Sequence, residues 1–372
     1  LSHAGRWLLN RRDFLRHGGT GLGAVALTSL LTRDRLMAGE AGWRPEWSPE
    51  RPAAARPGHH AAGAKNVLVI FCSGACAHLE VWDHKPELIR RHGQALPGGE
   101  GLLTFQGENG ALARPHWEFR PRGRSGKMIS DMLPNLAELA DEMCFLHGMT
   151  AKSNTHGPAE NQMSTGFILD GFPSMGAWVS YALGSENEDL PAFVAIPDPR
   201  GVPQVGPNHW SSAFLPPVFQ GVAFNADQPI PNLATPREIG RDAEREAREY
   251  LRVLNDRHLA ARPGDAELSA RIASYELAAR MQLSAAEVGD FRGESPATLA
   301  MYGVDGSGSL KSRFGRNCLL ARRLIERGVR FVQLFNGAYA MGEGVGNWDG
   351  HKTLKQQYDV HQIGRASCRE RV

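Results

Sequence analysis

The sequence predicts an α/β protein with a mostly parallel sheet and helices on its faces. Short, continuous, β-rich apolar runs alternate with longer stretches of helical period, the pattern of parallel strands joined by helices. The first run, Val67-Leu68-Val69-Ile70-Phe71-Cys72, has no polar alternation and ends in Ser73-Gly74, as a buried parallel strand running into a loop does. A chain of 372 residues can bury the core of one large α/β domain or of two smaller ones.

The elements follow in order. Ile129 to Leu139 has helical spacing, and Met143-Cys144-Phe145-Leu146-His147 reads as a second strand. Phe172 to Leu183 reads as a helix, and Ala192-Phe193-Val194-Ala195-Ile196 as a third strand closed by Pro197. Gly201 to Pro236, rich in Pro, Asn and Gln, reads as a long ordered loop. Arg237 to Leu259 and Asp265 to Ala286 are charged amphipathic helices joined at Arg262-Pro263-Gly264, so 237–290 forms a helical segment whose charges are solvated faces. Phe314 to Arg327 is a further helix, ended by Gly328. Val329 to Phe335 then returns as a fourth strand, with Trp348-Asp349-Gly350-His351 in the loop beyond it. No internal repeat is visible.

A net charge of +2, with no basic run interleaved with aromatics, gives no sign of a nucleic-acid partner. A hydrophobic content of 42%, with 42 Gly and 23 Pro, fits a globular protein with long loops rather than a helical bundle. Cys72, Cys76, Cys144 and Cys318 are too few for a disulfide framework in a chain of this length. Cys72 and Cys76 with His78 outline a soft metal site, though a thiol packed at a strand end explains the same residues.

The N-terminal stretch Asn10-Arg11-Arg12-Asp13-Phe14-Leu15, followed by the weakly apolar Gly18 to Leu31, resembles a twin-arginine export signal. Residues 1–41 are expected to be that signal, with cleavage after Ala41, and 42–63 a flexible leader. The resemblance implies the twin-arginine translocase as a partner during export and a periplasmic, cell-surface or secreted location. The apolar stretch is too short and too rich in Gly and Thr for a stable membrane span. Gly19-Thr20-Gly21-Leu22-Gly23 follows no strand and is not a dinucleotide loop. Ile363 to Val372 shows neither apolar period nor cap and back-translates to a run like a sequencing adapter. The domain is therefore expected over 64–362, with 363–372 an artefact.

The densest polar segment is His156-Gly157-Pro158-Ala159-Glu160-Asn161-Gln162-Met163-Ser164-Thr165-Gly166. Pro158 suits the first turn of a helix, whose N–H groups and positive dipole end would then face His156 and hold an anion. An ordinary loop and N-cap reads equally well from this segment alone. In parallel sheets ligands sit at the carboxyl ends of the strands, and three polar clusters fall there. They are His78-Leu79-Glu80-Val81-Trp82-Asp83-His84, Ser153-Asn154-Thr155-His156, and Asp349 with His351. Histidines and carboxylates at one edge suit a divalent metal: zinc, manganese or calcium. The expected roles are catalysis by His156 and Thr155, metal ligation by His78, Glu80, Asp83, Asp349 and His351, and substrate contact by Asn161 and Gln162.

The leader, Ala77 to Pro86, Asn161-Gln162-Met163-Ser164-Thr165-Gly166, Pro173-Ser174-Met175-Gly176-Ala177-Trp178 and Trp348-Asp349-Gly350-His351 together resemble the exported domain-of-unknown-function 1501 family. The likeness runs from Asn10 to His361. That family is grouped with the sulfatases and alkaline phosphatases, which implies a three-layer α/β/α sandwich and metal-dependent hydrolysis of phosphate or sulfate esters. The implied partner is a small-molecule or polysaccharide ester.

Departures from true sulfatases are specific. His156 stands where their oxidised nucleophile would be, and Glu160 where an arginine would be. Ser73-Gly74 replaces the metal-binding aspartates after the first strand, so formylglycine chemistry is not expected. Within the family, the usual Asp and Pro of the first cluster appear as Glu80 and His84. The later Gly-Gly-Glu-Phe-Gly-Arg and Gly-Arg-Asp-His segments do not occur before Val372, so an incomplete domain is expected. The expected function is ester hydrolysis; the alternative is a non-catalytic exported binding or surface protein that retains the fold.

Overall fold

The computed structural model describes residues 53–361 apart from 59, 100–102, 105–106, 109, 228–238, 264, 340–345 and 352–353. The expected export signal over 1–41, the start of the leader and the expected artefact over 363–372 lie outside the described residues. Residues 56–62 belong to a different compact unit from Gly63 onward, and their described part holds neither helix nor strand.

β1 (Val67–Cys72) leads into the short helices α1 (His78–Val81) and α2 (Pro86–Arg90). Two small antiparallel pairs follow, β2 (Leu103–Thr104) with β3 (Gly107–Glu108) and β4 (Phe119–Arg122) with β5 (Lys127–Ser130), then α3 (Pro134–Ala137). α4 (His156–Thr165) and α5 (Met175–Leu183) precede β6 (Phe193–Ile196) and β7 (Val222–Ala223). The helices α6 (Arg241–Ala260), α7 (Ala266–Gly289), α8 (Pro296–Met301) and α9 (Leu310–Glu326) lead to β8 (Phe331–Asn336), and α10 (Leu354–His361) follows.

Among the described residues the main sheet has four strands in the order β1-β8-β6-β7, and each pairing is parallel. Alternation along β6 and β8 sends side chains to two covered faces. Val194, Ile196, Val332 and Leu334 pack with Leu319, Leu320 and Leu324 of α9 and with Met281 and Val288 of α7. Phe193, Ala195, Phe331 and Phe335 pack on the other side with Trp210 and Val179 of α5. Each large apolar side chain so buried contributes roughly 1.5–3 kcal/mol, which makes these two faces the main source of stability. Asp265, Ser295 and Ser309 cap α7, α8 and α9 through their side chains, each accepting an N–H of the first turn. Arg–Glu pairs at helical spacing line the exposed faces of α6, so those charges are solvated as expected. Among the described residues no helix is long and apolar enough to cross a membrane.

Four local expectations are corrected. Met143 to His147 is no strand: Phe145 is drawn instead into a small cluster with Ile129, Ala137 and Ala140, its ring 5.6 Å from that of Trp82. Ile129 to Leu139 is not one helix. Ile129 and Ser130 belong to the β4–β5 hairpin, and Asp141 fixes its turn by accepting the N–H groups of Arg124 and Ser125. The expected loop over Gly201 to Pro236 contains a strand, β7, which takes the edge beside β6. β1 is parallel as expected but not buried: it forms the other edge, and Val67, Leu68 and Ile70 are 39–41% exposed.

Candidate functional site

Parallel strands carry their carboxyl ends to one side, so Ser73 after β1, Gly337 after β8 and Asp198 after β6 lie along a single edge. The loop holding Asp349 is fastened to that edge. Trp348 donates its N–H to the Ser73 carbonyl (2.8 Å) and its indole Nε1–H to Asn336 Oδ1 (2.6 Å). The side chain of Asn347 accepts the Asp349 N–H (3.0 Å), an Asx turn that sets the carboxylate's direction. Gly74 permits the approach. Its φ is +86°, and a Cβ there would lie 2.6 Å from Asn347 Cγ and 2.8 Å from the Asp349 nitrogen.

His156 occupies the first position of α4, with Thr155 as the N-cap residue. Its Nε2 lies 2.9 Å from Asp349 Oδ2, and His351 Nε2 lies 2.7 Å from Asp349 Oδ1. An ionised carboxylate only accepts, so both rings donate from Nε2 and each keeps Nδ1 for other work. All three side chains are partly exposed, at 35%, 19% and 28% for His156, Asp349 and His351, so solutes can reach them. The sequence expectation that Thr155–His156 and the Asp349–His351 loop share one edge is met.

The other expected site residues are engaged elsewhere. Glu80 is buried in α1, where His116 donates to it from its backbone N–H and pairs with it through Nδ1, both at 2.8 Å. His78 faces Asp83 (3.8 Å), and Asp83 is bound more closely by Lys85 (2.9 Å). That lysine is the main reason the Asp83 carboxyl lies below its ordinary range. Asn161 is buried and donates to Asp170 (2.6 Å), while Gln162 accepts the Lys152 N–H (2.9 Å). The Thr155 side chain makes no cap hydrogen bond.

Among the described residues no three His, Cys, Asp or Glu side chains are placed to hold one metal ion. Both Asp349 oxygens already face ring nitrogens, and Glu80 faces His116. The described residues therefore do not by themselves fit the expected divalent-metal centre. Nor do Cys72 and Cys76 form a soft site: both are free thiols packed with Val81 and Trp348, and burial pushes Cys72 up to about 12.

Two polar clusters beside the site left no local signal in the sequence. Ser73 Oγ donates to Glu160 Oε1 (2.5 Å), His209 Nε2 to Glu160 Oε2 (3.3 Å), and Ser164 Oγ to His209 Nδ1 (2.5 Å). All four side chains are buried. Burial pushes the Glu160 carboxyl up, but hydrogen bonds from His209, Ser73 and Val205 outweigh it and hold it below its ordinary value. The network ties the end of β1 to the inner face of α4 and so fixes the helix that carries His156.

In the second cluster buried Asp198 takes two hydrogen bonds from the Arg200 guanidinium (2.6 and 2.7 Å) and the Gly337 N–H (2.7 Å). Arg200 also lies 3.3 Å from the ring of buried His361, which packs on Trp348. Burial first, and then the Arg200 charge, lower the His361 pKa from 6.5 to about 4. The unfolded chain therefore binds the extra proton between pH 6.5 and 4, so stability is full above that window and falls as pH drops through it. Urea unfolding should show a loss of about 2–3 kcal/mol from pH 7 to 4.5 assignable to this ring. A His361→Gln variant should show a flatter dependence; an unchanged slope would remove His361 as its cause.

The molecule is thus a mixed α/β protein on a parallel sheet, with paired histidines on one carboxylate at the strands' carboxyl ends. The chain belongs to the family described as "Protein of unknown function (DUF1501)", which matches residues 64–366. No curated protein and no solved structure matches the chain.

Proposed function

We propose that this chain hydrolyses phosphate or sulfate esters at the His156–Asp349–His351 site, on a sulfatase-like three-layer α/β/α frame. The observation that carries the reading is the shared carboxylate: Asp349 orients two imidazoles at once, 2.9 and 2.7 Å away, at a partly open sheet edge. The positive end of the ten-residue helix α4 lies at His156 and favours an anionic ester group there. The chemistry needs one neutral ring and one protonated ring. His156 Nδ1 takes a proton from water as the water oxygen bonds to phosphorus or sulfur, and the His351 imidazolium gives its Nδ1 proton to the leaving alkoxide oxygen as the ester bond from that oxygen to phosphorus or sulfur breaks. Asp349 holds both rings in the donating tautomer throughout. Among the described residues the donor set does not converge on a metal, and the two rings and the carboxylate carry the proton transfers themselves.

His156→Ala should lower turnover of nitrophenyl phosphate or sulfate by roughly 10²–10⁴-fold, the range for one acid–base group, with little change in melting temperature. Equal turnover by a folded variant would refute the assignment. Turnover that chelation abolishes and zinc, manganese or calcium restores would show that other ligands complete a metal site. A second reading, a binding or surface protein without turnover, draws on the locked state of Ser73 and Glu160 within the buried network. Binding of the esters without hydrolysis, lost in the same variant, would favour it.

Export by the twin-arginine route is part of the proposal, carried by Arg11-Arg12. Replacing both with Lys should leave the protein in the cytoplasmic fraction; unaltered fractionation would refute that route.

A further inference from the structure

Two cysteines flank the turn on which the candidate site rests. β1 ends at Cys72, and the chain turns at once: the Ala75 N–H donates to the Cys72 carbonyl (3.3 Å), closing a turn over Cys72-Ser73-Gly74-Ala75. Gly74 and Ala75 are both left-handed, with φ +86° and +67°. A left-handed alanine persists only where its surroundings hold it.

The turn brings Cys76 into the cluster in which Cys72 already packs, with Val81, Trp348 and Tyr358. The Ala77 N–H, donated to the Tyr358 hydroxyl (2.7 Å), fixes the chain just beyond Cys76 against the same cluster. The two thiols also sense each other: a negative charge on Cys72 raises the pKa of Cys76. Cys318, by contrast, packs in the core between α9 and the sheet, and Cys144 is exposed. Cys72 and Cys76 both keep some exposure. A thiolate is poorly solvated in such a cluster, whereas a disulfide carries neither charge nor proton and suits apolar packing.

We propose that Cys72 and Cys76 are an oxidation site, joined in an intramolecular disulfide that staples the turn beneath Asp349. One protein thiolate attacks a sulfur of a small-molecule disulfide, releasing one reagent thiolate and leaving a mixed disulfide. The second protein thiolate attacks the protein sulfur of that mixed disulfide and releases the other reagent thiolate. The pair loses two electrons and two protons, and the oxidant becomes two thiols. The bridged turn includes Ser73, which donates to Glu160 and accepts the Trp348 N–H, and Gly74, which lies against Asn347 and Asp349. The staple therefore acts on the base of the site, whatever that site turns over.

The native, reduced protein is incubated with reduced and oxidised glutathione at about pH 8.5, near the ordinary thiol pKa, until its composition is constant. Exposed Cys144 reports that the reagent acts. After acid quench and alkylation, the peptide holding Cys72 and Cys76 should be two hydrogens lighter and carry no alkyl group. Dithiothreitol should restore both alkylation sites. Amide exchange at Gly74, Ala75 and Cys76 should be slower in the oxidised protein than in the reduced one, and Cys76→Ala should remove the difference. Alkylation of both cysteines would overturn the proposal, as would glutathione or a different cysteine attached to either one. Equal amide exchange in the two forms would overturn it too, because the bridge would then not hold the turn.

Discussion

Asp349→Asn is expected to lower ester turnover by about four orders of magnitude while leaving the fold intact. One carboxylate accepts from two rings, and an amide offers one oxygen and one NH₂ in its place. Whichever ring meets the NH₂ must present a lone pair, so it turns over or changes tautomer and loses its working nitrogen. Where an orienting carboxylate serves a single catalytic histidine in the chymotrypsin-type triad, the same change costs on the order of 10⁴ in kcat. The fold should survive because the Asp349 backbone is held by Asn347, and Trp348 anchors the loop from beneath. Steady-state turnover of the variant beside its urea midpoint checks both halves. A folded Asp349→Asn protein with more than about a tenth of wild-type turnover would leave Asp349 no orienting role.

Trp348→Ala should be the most destabilising of the site substitutions, by about 3–5 kcal/mol. The indole is 1% exposed and meets Tyr358 edge-on (4.9 Å between centroids). Removing it opens a cavity between β8 and α10 and leaves Asn336 Oδ1 without its donor. Because Trp348 adjoins Asp349, the same change loosens the carboxylate, so turnover should fall with stability. Trp348→Phe retains most of the volume and should cost less. Urea denaturation of the three proteins measures the difference; a loss under about 1 kcal/mol for the alanine variant would contradict this packing.

Much of this arrangement could be read from local pattern. The continuous apolar runs gave β1, β6 and β8, and helical period with capping residues gave α6, α7 and α9 within a few residues. Parallel topology alone brought His156, Asp349 and His351 to one edge, although they are nearly two hundred residues apart in the chain. What failed depended on partners that no local window reveals. Met143 to His147 has a strand's composition, but its Phe145 is drawn into the cluster beside Trp82 and it pairs with no strand. β1 has a buried strand's composition yet lies at an edge, because burial depends on how many neighbours the fold supplies. The pairing of Glu80 with His116 and the link from Glu160 to His209 join residues too far apart in the chain for spacing to reveal. The burial of Asn161 against Asp170 likewise depends on tertiary packing and not on local pattern.

The shared carboxylate is tested most directly by the nitrogen spectra of the two rings. Long-range ¹H–¹⁵N correlation of His156 and His351, assigned through single-histidine variants, reports which nitrogen carries the proton. Both rings should show a protonated Nε2 in the wild type, and Asp349→Asn should alter the two together. A ring protonated on Nδ1 alone, or one whose signals do not respond to Asp349→Asn, would contradict the two-histidine, one-carboxylate site.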